Sequence, residues 1–167
     1  ASDLNADGKA DLAVGANGYN PGGAASTGRA YIFYNGSIIT EAATGADVII
    51  TGTAASNNFG YALTTGDLNA DGEVDLAVGA YGANAAYIFY NDGSYPTTAG
   101  TANVTITGAS DFGISLTTGD LNADGEVDLA VGAYSVSSSA GAIYIFYNDG
   151  SIPTTAGTAA ITITGAA

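Results

Sequence analysis

The sequence predicts an all-β chain built from three copies of one four-stranded unit. Three observations carry that reading. Asp-Leu-Asn-Ala-Asp-Gly recurs at Asp3, Asp67 and Asp120; Asp-Leu-Ala-Val-Gly-Ala follows at Asp11, Asp75 and Asp128; Tyr-Ile-Phe-Tyr-Asn follows at Tyr31, Tyr87 and Tyr144. Motifs repeated in fixed order mark a repeat architecture. Short runs of Thr, Val, Ile and Tyr alternate with Gly and Asn-Asp-Gly, the composition of strands and turns. Good helix formers are scarce, with Lys9 and Arg29 the only basic residues and 25 glycines among 167 residues.

The elements follow in order. The first unit, residues 1–58, opens directly on its Asp-rich loop and lacks its first strand; its last strand leads into Ile49–Gly52. The second, 59–110, reads as strands Phe59–Thr65, Val74–Ala80, Ala85–Tyr90 and Val104–Thr107. The third, 111–167, reads as Phe112–Thr118, Val127–Ala133, Ala142–Tyr147 and Ala160–Thr164. Asn91–Gly93 and Asn148–Gly150 supply tight turns. The Asp motifs are spaced by 64 and then 53 residues. Most of the difference lies between Val14 and Tyr31, a surface-loop insertion that leaves the strands their lengths. Tyr-Ile-Phe-Tyr is apolar on both faces, so the strand is expected to be covered on both sides. A meander of four such strands wedged between neighbours is a β-propeller blade.

Phe59-Gly60 and Phe112-Gly113, the Asp-x-Asn-x-Asp-Gly loops, and Gly79-Ala80 and Gly132-Ala133 resemble FG-GAP repeats. These are the blades of the integrin α-subunit propeller and of many bacterial and archaeal surface proteins. Asn17, Tyr81 and Tyr134 stand where that pattern has Pro after Gly-Ala. Propellers close with about 4–8 blades, so three repeats are expected to be open. They read either as part of a larger propeller or as units that join end to end in an assembly or filament.

The Asp-rich loops carry the strongest chemical signal. Positions 1, 3, 5, 7 and 9 are Asp3, Asn5, Asp7, Lys9 and Asp11 in the first loop. They are Asp67, Asn69, Asp71, Glu73 and Asp75 in the second, and Asp120, Asn122, Asp124, Glu126 and Asp128 in the third. Side-chain oxygens at 1, 3, 5 and 9 with the main-chain carbonyl at 7 form an all-oxygen donor set that suits calcium. Gly8, Gly72 and Gly125 stand where the loop must turn sharply. An EF-hand would need Glu at position 12, and Val14, Val78 and Val131 stand there. The expectation is three calcium sites in β-hairpin loops rather than metal-free Asx turns.

Charge narrows the function classes. Sixteen acidic residues against two basic give −14. Nucleic-acid binding and anionic-membrane binding both need clustered Lys and Arg. No apolar run approaches the ~20 residues of a membrane helix. His and Cys are absent, so no Ser or Cys triad is available, and the chain reads as a non-enzyme with no catalytic residue. Glu41, Asp47, Asp92, Asp111 and Asp149 read as turn residues rather than a glycosidase carboxylate pair.

These features point to a calcium-stabilised structural or adhesion scaffold outside the cell or on its surface. Its partner is a protein or another copy of itself; the alternative is a lectin-like binder of glycans. Calcium loops are first connections, so the variable second connections Ala16–Gly28, Ala80–Ala85 and Ala133–Gly141 lie at the opposite end, where the resemblance implies ligand binding. Tyr19, Tyr81, Tyr95 and Tyr134 fall in or beside loops and are candidates for contact. Asn35-Gly36-Ser37 and Asn103-Val104-Thr105 match the glycosylation acceptor pattern.

Overall fold

The computed structural model describes residues 2–23, 25–35, 42–136 and 140–166. They form three antiparallel sheets in sequence order. The first holds β1 (Leu12–Ala16), β2 (Arg29–Phe33) and β3 (Val48–Thr51). The second holds β4 (Ala62–Gly66), β5 (Asp75–Ala80), β6 (Ala85–Phe89) and β7 (Val104–Thr107). The third holds β8 (Phe112–Gly119), β9 (Asp128–Ala133), β10 (Ala142–Phe146) and β11 (Ile161–Thr164). Each is a meander of neighbouring strands. No α-helix occurs among the described residues, only single 3-10 turns such as Ala99–Thr101 and Ala156–Thr158.

Register repeats from sheet to sheet. Val14 faces Tyr31, Val78 faces Tyr87 and Val131 faces Tyr144. In the middle sheet the period-2 alternation sends side chains to two different cores. Leu76, Val78, Tyr87 and Phe89 join Ile32, Ile50 and Phe59 between the first and second sheets. Ala77, Ala86, Ile88 and Ile106 join Phe112, Leu129, Val131 and Phe146 between the second and third. Covering on both faces therefore holds throughout β5 and β6. It does not hold in the outer sheets: Leu12 and Val14 of β1 and Ile143 of β10 are exposed, because no further sheet lies against them.

The sheets approach closely where a side chain is missing. A Cβ on Gly15 would stand 1.9 Å from the carbonyl oxygen of Gly60, and one on Gly79 would stand 2.0 Å from that of Gly113. Gly60 and Gly113 themselves have φ of +83° and +90°, which L side chains resist. This corner shortens the expected strand Phe59–Thr65, so that β4 starts at Ala62, and it puts a bulge between Phe112 and Ser115 in β8. The phenyl rings before these glycines pack edge-on into their own sheets. Phe59 meets Tyr87 at 5.6 Å and Phe89 at 6.1 Å; Phe112 meets Tyr144 at 5.4 Å and Phe146 at 6.4 Å.

The turns at Asn91–Gly93 and Asn148–Gly150 do not close a tight hairpin. They open longer connections that pass through a 3-10 turn before β7 and β11. Each long connection also ties to the preceding sheet: Thr51 N donates to Thr97 O and Thr107 N to Thr154 O, both at 3.0 Å.

Candidate metal loops and the families they match

The three Asp-rich loops have one hydrogen-bond plan. In the second, Asp67 Oδ1 and Asn69 Oδ1 both accept from Asp71 N, each at 3.1 Å. Asp67 Oδ2 accepts from Gly72 N at 2.8 Å, and Asp71 Oδ1 accepts from Glu73 N at 2.8 Å. The first loop repeats this with Asp3, Asn5, Asp7, Gly8 and Lys9. The third repeats it with Asp120, Asn122, Asp124, Gly125 and Glu126. Alternate side chains thus turn to the inside of the loop, and positions 1 and 3 converge on a single N–H. The curl needs two left-handed residues. The position-6 glycines supply one, and Ala6, Ala70 and Ala123 at position 4 supply the other, with φ of 57°, 59° and 64°. The alanines carry no sequence signal for that conformation.

Position 9 is set apart from the rest of the loop by burial. Asp11, Asp75 and Asp128 are buried. Asp75 Oδ2 accepts from Leu68 N and Oδ1 from Asn91 N, both at 2.8 Å. Asp11 does the same with Leu4 and Asn35, and Asp128 with Leu121 and Asn148. This carboxylate staples the first connection of each sheet to the third. Burial pushes Asp75 up to about 6, with the N–H groups of Asn91 and Leu68 opposing and the charges of Asp71 and Asp67 adding. Asp124, on the exposed rim, is held below the usual carboxylate range by the Glu126 N–H and the Asn122 side chain.

Among the described residues no three acidic side chains form a ready-made cation cage. The donor chemistry nevertheless fits a hard cation: each loop brings a carboxylate and an amide oxygen to one point, holds a second carboxylate beside them, and offers no His nitrogen or Cys sulfur. The position-9 carboxylates keep spare lone pairs, and their backbone bonds fix them in place.

The leucines at position 2 are a further component. Leu4 lies in the first core and Leu68 in the second, so a folded loop is anchored in a sheet interface. Asn148 reaches back with its Nδ2 to Asp67 O at 3.4 Å, linking the third sheet to the second loop.

Two family models match parts of the chain that contain these loops. Residues 67–131 match the model described as FG-GAP-like repeat, and residues 1–33 match FG-GAP repeat. The chain belongs to the FG-GAP repeat family. It is similar to bovine phosphatidylinositol-glycan-specific phospholipase D, 34% identical over 148 residues that cover 80% of this chain and 18% of the relative. It is similar to human integrin alpha-7, 41% identical over 98 residues, 52% of this chain and 8% of the relative. It is also 34% identical over 136 residues to integrin alpha-PS5 of Drosophila melanogaster, 75% of this chain and 13% of the relative. The chain therefore spans less than a fifth of the length of these relatives.

In the FG-GAP sheets the second connections lie at the end opposite the Asp-rich loops, as the meander requires. Tyr19 stacks under the Arg29 guanidinium, 3.6 Å from its ring centre. Tyr81 packs edge-on to the exposed Tyr61 at 4.7 Å, and Tyr134 is exposed. Tyr95 does not belong with these. It is buried in the first core, where its hydroxyl donates to Val74 O at 3.4 Å, because the long third connection folds back over the sheet.

Asn103 Oδ1 accepts from Tyr90 N at 2.9 Å, which occupies one acceptor site of a candidate glycosylation position. Gly36 and Ser37 of the other acceptor pattern, and Glu41, lie outside the described residues. Asp47 accepts from Tyr34 N at 2.8 Å, and Asp111 takes a left-handed turn conformation and bonds Ser135; both act in turns. No helix among the described residues is long and apolar enough to cross a membrane.

Proposed function

We propose that the three sheets are successive blades of a calcium-braced β-propeller, and that the chain serves as a structural or adhesion scaffold outside the cell or at its surface. The observation that carries this is the convergence of Asp and Asn oxygens on one N–H, repeated in three loops (Asp3/Asn5, Asp67/Asn69, Asp120/Asn122). The side chains at positions 1, 3, 5 and 9 and the carbonyl at 7 would hold each ion. Calcium supplies positive charge that offsets the repulsion among three carboxylates. Extracellular modules bind it with dissociation constants of about 10⁻⁴–10⁻³ M, so millimolar calcium contributes roughly 0.4–1.4 kcal/mol per site by mass action. Such sites fill where calcium is abundant, which supports the extracellular location. The reading is non-enzymatic: the sequence has no His or Cys, and its carboxylates serve loops and turns. The partner is a protein or a second copy, met at the second connections.

The test is molar mass by light scattering together with thermal melting, in millimolar calcium and after chelation. The expected result is a lower melting temperature after chelation. An unchanged melting curve overturns the calcium brace. Loss of mass on chelation identifies self-association through calcium-dependent contacts.

A second reading, a carbohydrate-binding propeller, is favoured by the exposed Tyr61, held edge-on to the half-buried Tyr81 at 4.7 Å, since sugars stack on exposed aromatic faces. A glycan array probed with the chain and with Tyr61→Ala tests it; no hit, or hits that Tyr61→Ala retains, removes it.

A further inference from the structure

One amide nitrogen and one hydroxyl at the edge of the second sheet have no role in holding the fold, and they stand two residues apart. Asn103, Val104 and Thr105 lead from the third connection into β7, the outermost strand of that sheet. Asn103 is exposed and Thr105 is half-buried. Val104 and Ile106 pack toward the second core, and the alternation of a strand turns Thr105 away from it. The carbonyl oxygen of the Asn103 side chain is engaged, since Oδ1 accepts from Tyr90 N at 2.9 Å. Its Nδ2 and the Thr105 hydroxyl make no hydrogen bond among the described residues.

The neighbouring unit shows that the amide nitrogen is not needed there. Asp47 and Asn103 each follow their Tyr, Tyr34 or Tyr90, by 13 positions. Asp47 Oδ2 accepts from Tyr34 N at 2.8 Å, the same bond made by a carboxylate. The turn therefore asks this position only for an acceptor oxygen. What distinguishes Asn103 from Asp47 is the nitrogen, and the nitrogen is the atom left without a partner. Asn-x-Thr with x other than Pro is the acceptor pattern for N-linked sugar. Asn103-Val104-Thr105 is the one such triplet that lies wholly among the described residues.

We propose that Asn103 Nδ2 is the attachment point of an N-linked glycan. The donor is an oligosaccharide activated as a lipid diphosphate, delivered by a transferase of the secretory route. A bond forms between Nδ2 and the anomeric carbon, and the bond from that carbon to the phosphate oxygen breaks. The lipid diphosphate leaves, and Nδ2 gives one proton to a base of the transferase. The product amide keeps its carbonyl oxygen, so the bond from Tyr90 N survives the modification. Tyr90 adjoins Asn91, which is stapled to Asp75, so the sugar leaves from the end of the sheet that holds the Asp-rich loops. The second connections, at the opposite end, stay uncovered. A bulky solvated group at Asn103 also guards β7, an edge strand that would otherwise offer its free side to another chain. The proposal rests on the extracellular reading given above.

The test is to express the whole chain in yeast behind a cleavable secretion leader and to read its intact mass and peptide map before and after peptide N-glycosidase. The map is read on retained as well as secreted chain, so poor export does not mask the site. The expected result is a glycan on Asn103 that the glycosidase removes, leaving Asp at that position. Asn103→Asp keeps an acceptor for Tyr90 N, as Asp47 does for Tyr34 N, so it should lose the glycan and melt with the deglycosylated wild type. Thr105→Ala should lose the glycan and Thr105→Ser should keep it. An unmodified Asn103 in the wild type, or sugar that maps only to Asn35, overturns the proposal. Melting in calcium and in chelator is recorded on the same samples. A glycosylated chain whose melting ignores calcium overturns the calcium brace alone, and a calcium-dependent chain with no sugar on Asn103 overturns this proposal alone.

Discussion

The ring of Phe112 fills the space beside Gly108, where a Cβ would come within 2.3 Å of it. One unit earlier a Cβ on Gly52 would come within 2.8 Å of the Phe59 Cβ and 2.3 Å of the Thr27 carbonyl oxygen. The glycine that ends each sheet is therefore one wall of the next sheet's aromatic pocket.

Gly108→Ala should lower stability by about 1–3 kcal/mol, the usual cost of forcing extra volume into a packed interface. Gly157→Ala, with nothing within 4 Å of its new Cβ, should stay within about 0.5 kcal/mol. Thermal melting of the two variants checks the contrast.

Asp75 and Asp71 separate the staple from the rim of the loop. Asp75→Ala strands two N–H donors, those of Leu68 and the buried Asn91, and should destabilise by about 2–5 kcal/mol with or without calcium. Asp71→Ala removes an exposed carboxylate, so its calcium-free melting should barely change. Its melting in millimolar calcium should drop by the equivalent of roughly 0.4–1.4 kcal/mol. Denaturant titrations in calcium and in chelator distinguish the two patterns.

The raised pKa of Asp75, about 6, sets a pH dependence for the calcium-free chain. Unfolded, the group titrates near ~3.9. The folded state therefore binds more protons between about pH 4 and 6, and stability falls as pH rises through that window. Melting temperature after chelation should be higher at pH 5 than at pH 7. Asp124, held low in the folded state, contributes stability that is lost only below the window, so it does not reverse the trend. In calcium the order should invert, because ligand carboxylates must be deprotonated.

Ala123→Gly should stabilise the chain. Its φ of 64° lies in the left-handed region, which costs a residue with a Cβ roughly 1–2 kcal/mol. Glycine relieves that strain at some cost in unfolded-state entropy. A rise in melting temperature checks the sign, and Ala70→Gly, at φ 59°, should follow.

Strand positions were legible because repetition and period-2 patterning agree. The strand expected over Val104–Thr107 coincides with β7, and Ala85–Tyr90 exceeds β6 by one residue. The loop residues were legible as a set, since three Asp and one Asn recur at fixed spacing. The double duty of Asp11, Asp75 and Asp128 was not. Their backbone partners at Asn35, Asn91 and Asn148 lie 16 to 24 positions along the chain, and no local pattern announces such a bond. Tyr95 misled for a related reason: it sits in a loop by sequence and in a core by folding, because the third connection is long enough to return over its sheet.

That third connection has a consequence for engineering. Tyr34 to Val48, Tyr90 to Val104 and Tyr147 to Ile161 are each 14 positions apart, while the second connections differ freely in length. The constant span carries bonds along its course, from the staple near its start to Thr97 and Thr154, which accept from the preceding sheet. Foreign epitopes or reactive handles grafted at Pro21–Gly23, in the second connection of the first sheet, where a Cβ on Gly22 or Gly23 would meet nothing within 4 Å, would be displayed on a rigid platform without disturbing it. The same graft between Asn91 and Asn103 would remove a strut that two sheets share.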